Sequence, residues 1–214
     1  CLYYLMENIA LTYTMASNVS VIVATAPFFT AFLFWLFMRS EEKPGAGFVL
    51  GFLAAMAGIG LISFNGAQMQ LNPLGDVLAL GAAVVWGCYS VLSKKMGGFG
   101  YPLIASTRHA FFYGILFMIP ALFLFGFRLD LSRFADPLNL FNMVYLGIGA
   151  SAACFVSWNY AMHSLGAVRA SVYIYLVPVI TVVFSALILG EPVTVLSLLG
   201  MGLTLAGLVL SQKK

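Results

Sequence analysis

The sequence predicts an all-α integral membrane protein with an internally repeated architecture. Of the 214 residues, 62% are hydrophobic and 8% are charged, whereas about 25% of the residues in a soluble globular domain are charged. The apolar runs are about 20 residues long, the length of a helix that crosses a bilayer, and longer than the alternating strands of a membrane barrel. The net charge of +3 is small and scattered, which argues against a nucleic-acid partner.

The second observation is that a stretch near the N-terminus recurs 151 residues later. Residues 16–30 and 167–181 share Ala, Ser, Val, Pro and Thr at matching positions, and Pro27 is opposite Pro178. At nearby offsets the match also includes further pairs: Asn8 with Asn159, Gly51 with Gly200, and Gly58 with Gly207. We interpret the chain as a duplication, and we expect Gly51, Gly58 and Gly60 to leave room for close helix contact.

The helices follow in order from the apolar runs. Residues 1–11 are apolar except for Glu7 and Asn8 and are too short to span a bilayer, so we interpret them as the end of a longer helix that starts before Cys1. After a turn at 12–17, seven complete spans are predicted, at 18–38, 45–64, 76–93, 102–127, 138–162, 170–189 and 193–210.

Polar residues mark the ends of these spans. Residues 39–44 form a charged loop that ends in a proline, and Gly-Glu-Pro at 190–192 predicts a tight turn. Asp76 is expected to cap the helix that it begins.

Positive charge is concentrated in alternate loops, which predicts the orientation of the chain. One set of loops and ends contains seven basic residues and the other set contains two: Arg39, Lys43, Lys94, Lys95, Arg169, Lys213 and Lys214 against Arg128 and Arg133. Because basic residues accumulate in cytoplasmic loops, the C-terminus is predicted to be cytoplasmic.

The two copies are predicted to cross the membrane in opposite directions. Pro27 lies in the second helix and Pro178 in the seventh, and an odd displacement of five spans reverses direction. Such inverted repeats are typical of secondary transporters. The second copy is preceded by two helices that have no counterpart before the first copy. We therefore expect a full protein of ten helices in two sets of five, truncated here to about eight.

Several motifs of the chain together form a family-specific pattern. They are Glu7 to Leu11, Tyr13 to Asn18, Pro27, Asp76 with Trp86 to Val91, Trp158 to Ala161, Leu165 to Ser171, Pro178, and Gly190 to Pro192. This pattern resembles that of the EamA-type permeases of the drug/metabolite transporter superfamily. The resemblance covers nearly the whole chain. The charged loop from Ser40 to Lys43 departs from it, because a compact Gly-Glu turn is usual there.

The resemblance implies a multi-pass protein of the cell (inner) membrane with both ends cytoplasmic and a cavity between its halves. It implies alternating-access transport of small metabolites, often the export of amino acids or related compounds, with no cofactor and no metal. It assigns residues 1–64 to the C-terminal part of the first repeat and 75–212 to a complete second repeat. The partners are a small-molecule substrate and the lipid bilayer, and the oligomeric state stays open. The alternative is a fragment that cannot transport without the two missing helices.

Two charged residues inside apolar segments are candidates for the mechanism. A carboxylate at the bilayer centre costs about 2.5–3.5 kcal/mol on insertion scales, so Glu7 is predicted to bind a cationic group of the substrate or to carry a coupling proton. The alternative is that it contacts headgroup water or pairs with Arg108. Arg108, about six residues inside its helix, either lines the cavity as an anion site or extends to the membrane surface. We prefer it to its neighbour His109.

For each polar or aromatic candidate, a structural role is the alternative to a role in the site. Asn8 and Asn159 occupy matching positions and are expected to bond to neighbouring helices or to line the cavity. Trp86 and Tyr89, three residues apart on one helical face, and Tyr175 are candidates for an aromatic wall. Aromatic residues also serve as plain packing and as interfacial belts.

Pro27 and Pro178 lie about ten residues into their spans. Because proline removes a helix hydrogen bond, we predict kinks that act as hinges, with static packing as the alternative.

An intramembrane enzyme is disfavoured. The three aspartates, Asp76, Asp130 and Asp136, lie at span ends or in loops, and no protease or phosphate-binding motif surrounds a His, Ser or Lys.

Overall fold

The computed structural model describes residues 1–38, 44–63, 72–126, 131–189 and 193–212, and these residues form helices and short connections without a β-strand. The α-helices are α1 (Leu2–Tyr13), α2 (Ala16–Val23), α3 (Ala26–Met38), α4 (Ala46–Ser63), α5 (Pro73–Gly97), α6 (Leu103–Leu124), α7 (Pro137–Val144), α8 (Cys154–Leu165), α9 (Ala167–Val172), α10 (Leu176–Phe184) and α11 (Val195–Gln212). A π-helical segment, Tyr145–Ala153, joins α7 to α8, and another, Ser185–Leu189, extends α10. Two short 3₁₀ segments, Leu131–Ala135 and Tyr173–Tyr175, complete the described secondary structure.

The seven complete spans predicted from the sequence are confirmed. Seven helical segments of the described chain are long and apolar enough to cross a membrane, at 18–38, 46–63, 73–97, 103–124, 137–165, 167–188 and 195–212. Each begins and ends within a few residues of its predicted limits, because the apolar run determines where helix can be buried in lipid.

Two predicted boundaries are wrong. Asp76 does not cap α5: the helix begins at Pro73, and the side-chain oxygen of Asn72 accepts hydrogen bonds from the N–H groups of Leu74 and Gly75. Pro73 suits a first helical position because its missing N–H leaves no donor unpaired. The turn expected at 12–17 is shorter than predicted, since α2 already begins at Ala16.

Several predicted features lie outside the described residues. They are the charged loop at 39–43, part of the loop that follows α4, the Gly-Glu-Pro turn at 190–192, Arg128, and the terminal Lys213 and Lys214.

The chain divides into two compact units. Unit 1 comprises Cys1 and Ser93–Leu165. Within it, α6 packs against α8, and the rings of Phe111 and Phe155 meet edge to face with centroids 5.2 Å apart. The side-chain amide of Asn159 donates a hydrogen bond of 3.0 Å to the hydroxyl of Thr107, which joins the same two helices.

Unit 2 comprises Leu2–Leu92 and Gly166–Lys214, and within it α4 and α11 pack along each other. A Cβ atom placed on Gly58 would meet backbone atoms of Gly200 and Thr204, and one on Gly207 would meet Gly51 and Ala55. Glycine is therefore required at both places, as expected for close packing of helices in lipid.

The contacts between α4 and α11 occur in pairs that the sequence repeat relates to each other. The repeat equates Gly51 with Gly200 and Gly58 with Gly207, so the contact of Gly51 with Gly207 corresponds to that of Gly58 with Gly200, and both are present. The contact of Gly51 with Ser211 likewise corresponds to that of Gly200 with Ile62. An antiparallel pair related in this way is what an inverted repeat produces, and this confirms the predicted fold class.

The helix is interrupted just before each of the matching prolines. In the first copy α2 ends at Val23 and α3 begins at Ala26. In the second copy α9 ends at Val172, the 3₁₀ turn follows, and α10 begins at Leu176. Because proline cannot donate to the carbonyl four residues earlier, the helical bonding is weakest there in both copies.

Candidate functional site

Unit 2 contains a cavity of about 330 Å³. Its walls come from α1, from α2 and the start of α3, from α5, and from the second helix interruption. The volume is at the lower end of the range of about 300–1,000 Å³ that is typical of sites for small molecules. The cavity can therefore accept a compound of metabolite size.

One wall is a single face of α1. Tyr3, Glu7 and Leu11 line the cavity at a spacing of four residues, which places them one above the other on the helix. Tyr3 and Glu7 are one turn apart on this face, so their side chains are neighbours. The helix is held against α2 and α5 by a buried cluster that includes Ala10, Val19 and Ala79.

Helix α5 adds an aromatic side chain to this wall. Trp86 lines the cavity, and its ring centroid is 5.1 Å from that of Tyr3. The ring centroid of Tyr89 lies 5.6 Å from that of Trp86. The close approach of α5 to α3 depends on Gly87, where a Cβ atom would lie 3.1 Å from the backbone nitrogen of Thr30.

Another part of the wall is formed by residues at the two helix interruptions. Val23 and Ala26 line it from the first copy, and Ile174 and Val177 line it from the second. At the repeat offset of 151, Val23 corresponds to Ile174 and Ala26 to Val177. The cavity is therefore flanked by equivalent positions of both repeats.

The cavity is mostly apolar, with few polar groups. Glu7, which is half-buried, has the one carboxyl group among the lining residues, and none of these described residues is Lys, Arg or His. Ser20 adds a hydroxyl group. An apolar wall with a few polar groups is the usual composition of a small-molecule site.

The structure places the predicted site residues of unit 2 in different environments. Glu7 and Trp86 share the cavity, and Pro178 lines it as well, whereas Pro27 is buried in α3. Tyr175 is fully buried in the second interruption. Asn8 is exposed and donates to the carbonyl of Tyr4 in its own helix.

The remaining predicted residues belong to unit 1. Arg108 and His109 are both exposed on α6, and a ring nitrogen of His109 lies 2.8 Å from the carbonyl oxygen of Ala105. Asn159 forms the interhelical bond to Thr107. Asn8 and Asn159 are thus equivalent in sequence but not in their bonding.

Three residues that the sequence interpretation missed contribute to these arrangements: Tyr3 and Ser20 in the cavity and Thr107 beside Asn159. The signal for Tyr3 was its position one turn before Glu7 on the same helical face. No comparable signal exists for Thr107, because its partner lies 52 residues away in the sequence.

Comparison with known proteins agrees with this architecture. The family model described as the EamA-like transporter family matches residues 1–64 and 73–212. An uncharacterized transporter of Archaeoglobus fulgidus is 31% identical over all of this chain and 72% of its own length. A probable terminal-alkyne amino-acid exporter of Streptantibioticus cattleyicolor is 29% identical over 99% of this chain and 69% of its own length.

A solved structure shows the same fold. A crystal structure described only as that of a protein superimposes with a TM-score of 0.76 at 21% identity, over 98% of this chain and 71% of the other. The family match, the relatives and the fold confirm the resemblance seen in the sequence: the chain belongs to the EamA-like transporter family and is a membrane transport protein, not an enzyme.

Proposed function

We propose that the protein is a secondary transporter that moves small metabolites, amino acids or related compounds, out of the cell by alternating access through the cavity of unit 2. The observation that carries this proposal is the matched pair of helix interruptions around that cavity. Discontinuous helices from two inverted repeats, meeting at a binding site, are the arrangement on which many secondary transporters depend. The name of the exporter from Streptantibioticus cattleyicolor supports the class of substrate.

In this proposal the helices bend at the two interruptions. A helix that lacks a hydrogen bond before Pro27 or Pro178 bends there at lower energy than elsewhere, because one fewer bond opposes bending. Val23 with Ile174, and Ala26 with Val177, lie at these points and line the cavity. Bending at one copy and then at the other would open the cavity to each side of the membrane in turn.

Glu7 is the residue through which the cavity recognises its substrate or its coupling ion. Its carboxyl group lies in an otherwise apolar wall, where a cationic partner or a proton is needed to offset burial. Both roles follow from the same contacts, and they differ in their response to a pH gradient.

The topology forms part of the proposal. Residues 1–64 are the C-terminal part of a first repeat and 75–212 a complete second repeat, in agreement with the two ranges matched by the family model. The excess of basic residues in alternate loops supports a cytoplasmic C-terminus in the cell membrane.

The test is flux through the full-length protein in liposomes, with a panel of amino acids and other metabolites, with and without a pH gradient. We expect at least one metabolite to be transported, and Glu7→Gln to lower its rate at least about tenfold or to abolish its dependence on pH. Asp76→Asn is the matched control, because it removes a carboxylate of unit 2 that does not line the cavity. An unchanged rate and pH profile in Glu7→Gln would exclude Glu7 from transport, and absence of flux for every compound would refute the proposed function.

A further inference from the structure

Among the described residues that line the cavity of unit 2, Glu7 can bind an ammonium ion, and no positively charged side chain is present to pair with a carboxylate; the side-chain donors there are the neutral groups of Tyr3, Ser20 and Trp86. Glu7 has the one carboxyl group among the described lining residues, and no basic side chain accompanies it. The carboxylate of a zwitterionic amino acid is bound more strongly by a charged donor such as Arg or Lys than by a neutral hydroxyl or indole group. Beside Glu7, a substrate carboxylate would also be repelled by like charge.

Backbone donors at the helix interruptions do not fill this gap. The N–H groups of Ala24 and Thr25 donate to the carbonyls of Ser20 and Ile22. At the second interruption the N–H of Leu176 is likewise directed to carbonyl groups of the 3₁₀ turn. These donors are therefore already engaged within the protein.

The aromatic side chains of the wall favour a cation. Tyr3 and Trp86 line the same cavity as Glu7, with their rings 5.1 Å apart. A positively charged group near an aromatic face is attracted by the negative face of the ring, most strongly for Trp. One ammonium group can thus interact with the carboxyl group and an aromatic ring together.

Only the first repeat has a carboxyl group at the position of Glu7. At the offset of 151, Glu7 corresponds to Trp158, Tyr3 to Cys154 and Leu11 to Met162. The second copy therefore has an aromatic residue, and no carboxylate, at the position of Glu7. The matching position therefore adds no second carboxylate to the one that Glu7 provides in the cavity of unit 2.

We propose that the cavity selects small apolar monoamines, with one ammonium group and no carboxylate, over zwitterionic amino acids. This inference rests on the proposed function, because it narrows the substrates of the same cavity from amino acids and related compounds to amines that lack the carboxylate. The apolar walls, formed by Leu11, Val19, Val23 and Ile174, accommodate the hydrocarbon part. The volume of about 330 Å³ suits an amine of metabolite size.

The test compares three ligands with the same branched hydrocarbon chain: isoamylamine, leucine and isocaproate. Binding to the full-length protein in lipid nanodiscs is measured by calorimetry, which avoids leakage of neutral amines through the bilayer. We expect isoamylamine to bind at least about tenfold more tightly than leucine, a difference of about 1.4 kcal/mol, and isocaproate not to bind. Glu7→Gln should weaken isoamylamine binding at least about tenfold, whereas Glu7→Asp should keep the preference for the amine. Asp76→Asn should change neither.

The outcomes separate the substrate class from the function. Leucine binding as tightly as isoamylamine, or isoamylamine binding that survives Glu7→Gln, overturns the monoamine inference and leaves the transporter proposal intact. If neither these ligands nor any metabolite of the flux panel binds or is transported, the proposed function itself fails. The thermal unfolding temperature of each variant shows that lost binding is not lost folding.

Discussion

The contact between α4 and α11 should be sensitive to one methyl group at Gly200 and insensitive to the same group at Gly202. A Cβ atom at position 200 would lie 2.7 Å from the carbonyl oxygen of Gly58 and 3.1 Å from the backbone nitrogen of Ile62. At position 202 no atom lies within 4 Å of the added carbon. Both residues lie inside α11, so replacing Gly by Ala brings the same gain in helix propensity, up to about 1 kcal/mol, in both variants.

The size of the effect follows from these distances. The clash at Gly200 involves backbone atoms, which cannot change rotamer, so the two helices must separate. Ordinary contact begins at 3.4 Å, which requires a movement of about 0.7 Å from the 2.7 Å position. A gap of 0.5–1 Å removes about a quarter to a half of the dispersion energy of each contact. Overpacking of this kind costs about 1–3 kcal/mol, and we expect that difference in stability between Gly200→Ala and Gly202→Ala.

The assay is thermal unfolding of the purified full-length variants in one detergent. At about 2–4 °C per kcal/mol for a protein of this size, Gly200→Ala should unfold several degrees below Gly202→Ala. Gly207→Ala provides an independent check, because its Cβ atom would lie 2.6 Å from the carbonyl oxygen of Gly51, and the contact of Gly51 with Gly207 is equivalent to that of Gly58 with Gly200. Equal unfolding temperatures for Gly200→Ala and Gly202→Ala would refute this account of the packing.

Three further outcomes are expected. Asn159→Leu removes the hydrogen bond to Thr107 and should lower the free energy of unfolding by about 0.6–2 kcal/mol. Asn8→Leu removes a hydrogen bond within one helix and should lower the unfolding temperature less. A larger loss for Asn8→Leu would contradict the assigned contacts. Pro27→Ala and Pro178→Ala should each restore one helical hydrogen bond and slow transport several-fold without lowering stability; unchanged rates would leave these prolines with a packing role only. A reporter active only in the periplasm, fused at the C-terminus, should be inactive, and an active fusion would reverse the predicted orientation.

The spans and the repeat could be predicted because their physical causes are local in sequence. A helix in lipid must be apolar over a length fixed by the bilayer, and this constraint located all seven spans to within a few residues. Gly51 and Gly58 were predicted to allow close contact for a similarly simple reason, since only a small residue admits another backbone. The N-cap of α5 was missed because Asp76 and Asn72 are both good caps, and only the position of Pro73 distinguishes them.

The site was predicted less completely because contacts between distant residues leave no pattern in one chain. Glu7 could be selected because a carboxyl group in an apolar segment is costly. Tyr3 was missed although it lies one turn before Glu7, because aromatic residues make up 15% of this sequence and most of them are packing residues. Asn8 and Asn159 show the same difficulty. The repeat equates their positions, but the hydroxyl group opposite Asn159 comes from Thr107, in a helix that is matched by none in the first copy of this chain.

The antiparallel pairing of α4 with α11 also bears on how a duplicated gene can diverge. In an assembly of two identical unfused repeats, one codon would specify the residue on both sides of the two-fold axis. Any substitution at one contact would therefore also be present at the symmetry-related contact. Fusion into a single reading frame separates those codons. Ala55 and Thr204 occupy equivalent positions at this axis, and they already differ: the hydroxyl of Thr204 donates to the carbonyl of Gly200 in its own helix, which Ala55 cannot do. Each half of the fused protein can thus be selected for its own side of the membrane.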